Sequence, residues 1–363
     1  VNYRDGGGQR RFKQFMRKTD AARWMHETCV DVSQGIHTAS SQSATINEAG
    51  EIFIRSRELA GREPVTVSDY LSLLNNHVYP EIGYVRLCDL TTPGLIELRD
   101  SMLQTKSRPL VRRVFGLLRM VLTEAQRRGL VAQNAARGIQ VDLSSRDKRM
   151  LEVGLDIPSR DEIRLLVEAS EGRWRPLLVT AIFTGARSSE LRGLTWSHVD
   201  FGAGQIRVRQ RADKLNRIGP PKSRAGQRDI PMVPMVTNVL REWRLQCPRG
   251  ELGLVFPTGA GRVEGHSNIC KRGFFPTQRA AQLLSEMGAQ KYRFHSLRHF
   301  YASWCINSRE SGGLGLPLKR VQYLLGHSTA QMTLDTYGHL FPVQDESGLF
   351  ADAEKALMSC NTM

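Results

Sequence analysis

His295-Ser296-Leu297-Arg298-His299 puts a histidine and an arginine three positions apart, close enough to share one face of a helix. Working outward, Thr184-Gly185-Ala186-Arg187 followed by Glu190-Leu191 lies upstream, and Leu325-Gly326-His327-Ser328 and Thr336-Tyr337-Gly338-His339 lie downstream. Between them, residues 205–209 (QIRVR) and 228–232 (RDIPM) alternate like the two arms of a β-hairpin, with Lys222 in the turn between them. Each piece alone has an ordinary reading: Arg187 on a helix surface beside a glycine turn, Leu325-Gly326-His327 as a helix end with a glycine stop, Tyr337 as a half-buried aromatic. Taken together they gather two arginines, a lysine, two histidines and a tyrosine in one half of the chain.

That collection suits cleavage of a phosphodiester without a metal. In-line attack builds negative charge on the non-bridging oxygens, and preorganised cations must meet it. Guanidinium groups do so bidentately and stay charged at physiological pH. A tyrosine hydroxyl serves as nucleophile because its phenolate can attack and later leave. In this order and with these contexts the residues resemble the tyrosine recombinase (phage integrase) family. The resemblance implies that Arg187 and Arg298 clamp the phosphate, that Tyr337 is the nucleophile and that Lys222, on its hairpin, is the general acid. It also implies that His295 accepts or steers the tyrosine proton, that His327 hydrogen-bonds the phosphate and that Glu190, one turn after Arg187, supports the site. His299 is read as packing or as a helper behind the site, and His339 as ordering the turn after Tyr337.

Bulk properties agree with a DNA partner. The 363 residues exceed one ordinary domain. Fifty-one Lys and Arg against 36 Asp and Glu leave a net charge of +15, which attracts polyanions. Six cysteines, Cys29, Cys88, Cys247, Cys270, Cys305 and Cys360, show no C-x-x-C spacing, which argues against a zinc ribbon or a disulfide framework and for a reducing cytoplasm. No run approaches ~18 apolar residues and no signal-peptide core opens the chain, so insertion into a membrane is not expected. Val rather than Met stands first, as in a segment of a longer chain. Carboxylates clustered as a metal-dependent nuclease needs them are not found, so neither metal nor cofactor is expected.

Along the chain we expect a mainly α fold with small β elements (α+β). Residues 1–42 read as an N-terminal sheet-plus-helix unit, truncated in look: two strand-like pieces joined by Asp5-Gly6-Gly7-Gly8, then a helix from Thr19 through Trp24 and Met25. Arg10, Arg11 and Lys13 make it a candidate DNA-binding (arm-type) unit, or a charged edge that blocks aggregation. Residues 43–143 read as a four-helix bundle, with capping boxes at Thr45–Glu48 and Thr66–Asp69, a start at Thr92-Pro93, and a last helix from near Pro109 to Gly129. Between residues 98 and 150 there are 12 Lys and Arg against 4 Asp and Glu, and Arg112, Arg113 and Arg119 lie off the apolar stripe. The family resemblance makes this bundle the core-binding DNA domain; a solvated helix face is the plain alternative. A basic linker at 144–150 leads to the catalytic domain, 151–363, mostly helical with a small β-sheet and opened by a cap at Ser159–Glu162. Residues 308–317 read as an enlarged loop, either an insertion or a partner contact. The tail carries an apolar stripe, Leu349, Phe350, Ala353, Ala356 and Leu357, that packs on its own domain or on a neighbouring protomer.

The resemblance implies a site-specific integrase of a prophage or other bacterial mobile element, working through a 3′-phosphotyrosyl link without ATP. It implies double-stranded attachment sites as substrate, a tetramer on DNA, an excisionase and a DNA-bending host protein as accessory partners, and a cytoplasmic, nucleoid-associated location. The alternatives are a type IB topoisomerase-like enzyme and an architectural DNA-binding protein with an inactive site.

Overall fold

The computed structural model describes residues 1–4, 10–12, 14–33, 43–142, 150–341 and, near the end, 352, 354, 355, 357 and 358. Contacts divide the chain into two compact units, Val1–Arg149 and Met150–Met363. The expected linker 144–149, the side chains of Arg11 and Lys13, and Leu349, Phe350, Ala353 and Ala356 of the tail stripe lie outside the described residues.

In the first unit, β1 (Asn2–Arg4) pairs antiparallel with β2 (Arg10–Phe12), and α1 (Lys18–Ser33) follows. The bundle begins with α2 (Ile46–Leu59), whose capping box closes as expected: the Thr45 N–H donates to Glu48 at 2.7 Å. The second expected box does not form. Helix α3 (Pro64–Leu73) starts at Pro64, because a proline's missing N–H costs nothing in a first turn, so Thr66 and Asp69 fall inside the helix. A widened turn, Leu74–Val78, carries it into α4 (Tyr79–Ile82). Helix α5 (Thr92–Thr105) is capped by the Thr91 hydroxyl, and α6 (Arg108–Arg127) buries Val111, Val114, Leu118, Val121 and Leu122 against Ile46, Phe53, Leu74 and Leu95. Each such side chain contributes roughly 1.5–3 kcal/mol, which holds the basic face of α6 outward.

The second unit opens with α7 (Arg160–Glu168), capped by Ser159 and Glu162 as read from the sequence. Glu162 also accepts from Lys291 Nζ at 2.6 Å and Tyr292 Oη at 2.7 Å, which anchors the approach to residue 295. After α8 (Trp174–Thr184) and α9 (Ser188–Gly193), β3 (Val199–Asp200) and β4 (Gln205–Val208) begin a three-stranded antiparallel sheet. The connection from β4 is longer than a turn: β5 (Arg211–Ala212) and β6 (Ile218–Gly219) form a second small hairpin before β7 (Arg228–Pro231) completes the sheet beside β4, with Val208 opposite Arg228. Lys222 thus follows an inserted hairpin instead of sitting in a simple turn.

Helix α10 (Pro234–Gln246) packs on α8. Then α11 (His266–Asn268) passes through a widened turn, Ile269–Phe274, into α12 (Phe275–Ala280), and α13 (Ser296–Ile306), α14 (Leu318–Leu325) and α15 (Ala330–Tyr337) complete the unit. The main core gathers Leu177, Ile182, Leu191, Ile206, Leu240, Phe274 and Leu297; a second gathers Val208, Ile230, Tyr301, Leu324 and Tyr337. The loop 308–317 folds back on α13: the N–H groups of Leu314, Gly315 and Leu316 donate at 2.8 Å to the carbonyls of Trp304, Asn307 and Cys305, closing that helix end. Among the described residues no helix is long and apolar enough to cross a membrane.

Candidate active site

Two left-handed glycines set the frame. Gly185 stops α8 with φ +58°, and a Cβ there would lie 2.3 Å from the Tyr301 ring, so only glycine fits. The chain then turns sharply, which makes Arg187 the residue that caps α9. Glu190 reaches back to accept the Arg187 N–H at 2.8 Å, and its other oxygen accepts from Arg187 Nη1 at 2.9 Å. The second stop is Gly326, φ +63°, at the end of α14.

The end of α14 shows what the arginines do at rest. A helix leaves its last carbonyls without internal partners and carries partial negative charge there. The Gly326 N–H turns back to the Tyr323 carbonyl and the His327 N–H to that of Gln322. The next three carbonyls are each met by a guanidinium from a different element: Leu324 by Arg228 Nε at 2.7 Å, Leu325 by Arg298, and Gly326 by Arg187 Nη2 at 3.2 Å. Arg298 also donates to the Gly185 carbonyl at 2.7 Å, tying the two glycine stops together.

Glu190, 5% exposed, joins the cluster from below by accepting two bonds from Arg228, at 2.9 and 3.1 Å. Burial alone would raise its pKa, but Arg228, Arg187 and Arg298 outweigh burial and hold it at about 2. Arg298 is buried, and burial with the nearby Arg187 brings it down to about 9, which leaves it protonated at neutral pH. Three guanidiniums against one carboxylate make a preorganised anion site.

Around this centre lie two histidines and the tyrosine. His327, buried, has Nδ1 2.9 Å from the Thr333 hydroxyl, and its ring stacks on Tyr337 with centroids 6.4 Å apart. Burial, then Arg298, Arg187 and Arg228, depress its pKa to about 4. Tyr337 is 2% exposed; burial pushes its hydroxyl up to about 12 although Arg298 and Arg187 oppose the rise. His299 Nδ1 stands 2.8 Å from Tyr337 Oη.

A family model described as the phage integrase family matches residues 159–343, more than half of the chain and the whole of the cluster just described. The chain belongs to the phage integrase family. Among curated relatives of this integrase-family chain, a tyrosine recombinase XerC-like protein of Caldanaerobacter subterraneus subsp. tengcongensis is 25% identical across 94% of this chain and 91% of its own length. An integrase of Streptomyces ambofaciens is 26% identical across 88% and 82%. Among solved structures, the Tn1549 transposon integrase in complex with transposon right end DNA superposes with a TM-score of 0.65 at 18% identity, covering 86% of this chain and all of that one. A lambda integrase tetramer bound to a Holliday junction gives 0.62 at 17% identity, covering 94% and 92%. The family and these relatives make the chain a tyrosine-type site-specific recombinase with the α+β integrase fold, and they do not favour the topoisomerase and architectural alternatives.

Of the integrase residues read from the sequence, the structure brings Arg187, Glu190, Arg298, His327 and Tyr337 together. His295, at the start of α13, is exposed and meets the ring of His299, with centroids 4.8 Å apart; the sequence reads it as accepting or steering the tyrosine proton, and the imidazole within hydrogen-bond distance of the tyrosine hydroxyl here is that of His299. Desolvation of its ring among the site residues, then His299, Arg298 and Arg187, push His295 below its ordinary pKa although the residue as a whole is exposed. Lys222 is exposed on the strand connection, outside the hydrogen bonds that join the others. His339 fastens the turn after Tyr337 through the Leu151 carbonyl at 2.8 Å. On the bundle, Arg112 and Arg113 are exposed, whereas Arg119 donates to the carbonyls of Ile139 at 2.6 Å and Ala136 at 3.4 Å, which gives it a tethering task; Arg10 is exposed on β2.

Sequence reading missed Arg228, 1% exposed, and undervalued His299. Signals for both existed: Arg228 shares the inward register of its strand with Ile230, and His299 lies one turn after His295.

Proposed function

We propose that this recombinase cleaves and rejoins double-stranded DNA through a 3′-phosphotyrosyl intermediate formed by Tyr337. The observation that carries the reading is the convergence of Arg187, Arg298, His327 and Tyr337 on the end of α14. The scissile phosphate sits against the Arg187 and Arg298 guanidiniums, with His327 hydrogen-bonding a non-bridging oxygen. Tyr337 Oη bonds to phosphorus as the bond from phosphorus to O5′ breaks; the phenol loses its proton and O5′ gains one, delivered by Lys222 from its exposed connection once DNA is bound. Rejoining runs the same steps in reverse. The bond energy stays in the phosphotyrosyl link, so these groups suffice without ATP.

Residues 1–42 and 43–143 serve as arm-type and core-binding DNA units, with Arg10, Arg112 and Arg113 against phosphates, and 151–363 as the catalytic domain. Recombination of two duplexes requires four strand cleavages, so the working form is a tetramer on DNA, integrating or excising a mobile element with an excisionase and a DNA-bending protein as accessories. The test is a nicked suicide duplex carrying the attachment junction of the element that encodes the chain. Wild type is expected to form a covalent adduct and Tyr337→Phe none; an adduct with the Phe variant refutes the assignment.

A further inference from the structure

The side chain that touches the tyrosine's reacting atom is His299. Its Nδ1 is 2.8 Å from Tyr337 Oη, and the two rings meet at 5.7 Å between centroids. His295, one turn earlier and just before α13, reaches His299, its ring plane at 89° to the other, and is itself exposed. With only 2% of Tyr337 exposed, bulk water has little access to its hydroxyl, and the His299 nitrogen is already within hydrogen-bond distance.

We propose that His299 accepts the Tyr337 hydroxyl proton during strand cleavage, with His295 behind it as the way out to solvent. The proposal rests on Tyr337 being the nucleophile. As the Oη–phosphorus bond forms and the phosphorus–O5′ bond breaks, the proton passes from Oη to Nδ1, turning the neutral imidazole into imidazolium, while Lys222 protonates O5′. On rejoining, His299 returns its proton to the departing phenolate and Lys222 recovers one from the 5′-hydroxyl.

The surroundings explain why the transfer waits for DNA. Burial and Arg298, on its own helix, hold His299 at about 4, against the opposing pull of Asp156 from the segment before α7. His295 and His327 are likewise pushed down, so the neighbouring imidazoles remain neutral at pH 7. At rest the neutral imidazole of His299 shares one hydrogen bond with the phenol and holds it in place; in the tautomer protonated on Nε2, its Nδ1 is the acceptor that the transfer needs. A phosphodiester brings negative charge beside Arg187 and Arg298, which raises the proton affinity of His299, and the forming bond to phosphorus makes the phenol proton acidic.

Asparagine discriminates between holding and accepting. In His299→Asn the carboxamide oxygen stands near the place of Nδ1 and can accept the hydroxyl's hydrogen bond, but it cannot take the proton; His299→Ala can do neither. Single-turnover adduct formation on the nicked suicide duplex is measured from pH 6 to 9 for the full chain. Both variants are expected to be about 100-fold slower than wild type at pH 7, with rates that climb with pH as hydroxide takes over. Added imidazole is expected to recover part of the His299→Ala rate and none of the Tyr337→Phe rate, which separates a missing base from a misfolded site. His295→Asn is expected to lose about tenfold or less. A His299→Asn rate within about threefold of wild type and an unchanged pH profile overturns the proposal, as does a larger loss in His295→Asn. If wild type forms no adduct, the nucleophile assignment itself has failed; if it does and His299→Asn matches it, only the role of His299 has.

Discussion

Glu190 is a buried carboxylate between two guanidiniums, and its removal takes from Arg228, wholly inside the protein, the carboxylate it pairs with. Breaking one side of such a pair costs about 3–5 kcal/mol, so Glu190→Gln is expected to lower the urea stability of the second unit by that much. Tryptophan fluorescence reads mainly that unit, since four of the five tryptophans, Trp174, Trp196, Trp243 and Trp304, lie in it. The histidines make a separate claim about pH. His327 titrates near 4 when folded, below its ordinary 6.5, so the unfolded chain binds a proton in this window that the folded chain refuses. Stability therefore falls as pH drops from 6.5 toward 4, by about 2 kcal/mol at pH 5 from this residue alone. Glu190, depressed from 4.5 to about 2, adds its loss only below pH 4.5. Urea midpoints at pH 7, 6 and 5 are expected to decline in wild type and to decline less in His327→Gln; a flat wild-type series contradicts the assignment.

The elements that frame the site are positioned by helix stops, and glycines of similar left-handed φ are expected to tolerate change unequally. Gly61, φ +67°, has open space where a Cβ would go, so Gly61→Ala meets only the left-handed cost of about 1–2 kcal/mol. Gly185→Ala meets the Tyr301 ring and Gly326→Ala comes within 2.8 Å of Arg228 Nη1, so each is expected to cost at least about 3 kcal/mol, measured by thermal melting. This is also the scale at which the sequence was most and least legible. The Thr45 and Ser159 capping boxes could be read because donor and acceptor lie three residues apart. Thr66 failed as a cap because Pro64 starts the helix first, a competition between two local signals. The alternation of its strand made the burial of Arg228 legible but not its role, since its partners Glu190 and Leu324 are 38 and 96 positions away and only the folded sheet brings them to it. The inserted hairpin before Lys222 escaped notice because its strands are two residues long, too short to show alternation.

At the scale of the whole molecule, a charge of +15 makes binding to DNA salt-dependent, each phosphate contact contributing about −0.9 to the slope of log affinity against log salt. Replacing both Arg112 and Arg113 by glutamate is expected to weaken binding and flatten that slope by about two, in filter-binding titrations, without lowering the melting temperature. Arg119→Ala is expected to lower the melting temperature first, because its guanidinium holds the Ala136 and Ile139 carbonyls. The three arginines that close the end of α14 carry a consequence for how such genes decay. A copy freed from selection for recombination but still required to fold, for instance as a DNA-bound repressor, has to keep Arg187, Arg228 and Arg298, because without them three helix carbonyls and a buried glutamate lose their partners. Tyr337 carries a lighter obligation: phenylalanine fills the same space in the core and forfeits one hydrogen bond, to His299. An intact arginine set in a relative therefore reports a maintained fold and not a working site, since the exposed Lys222 and the Tyr337 hydroxyl can be lost while the arginines stay.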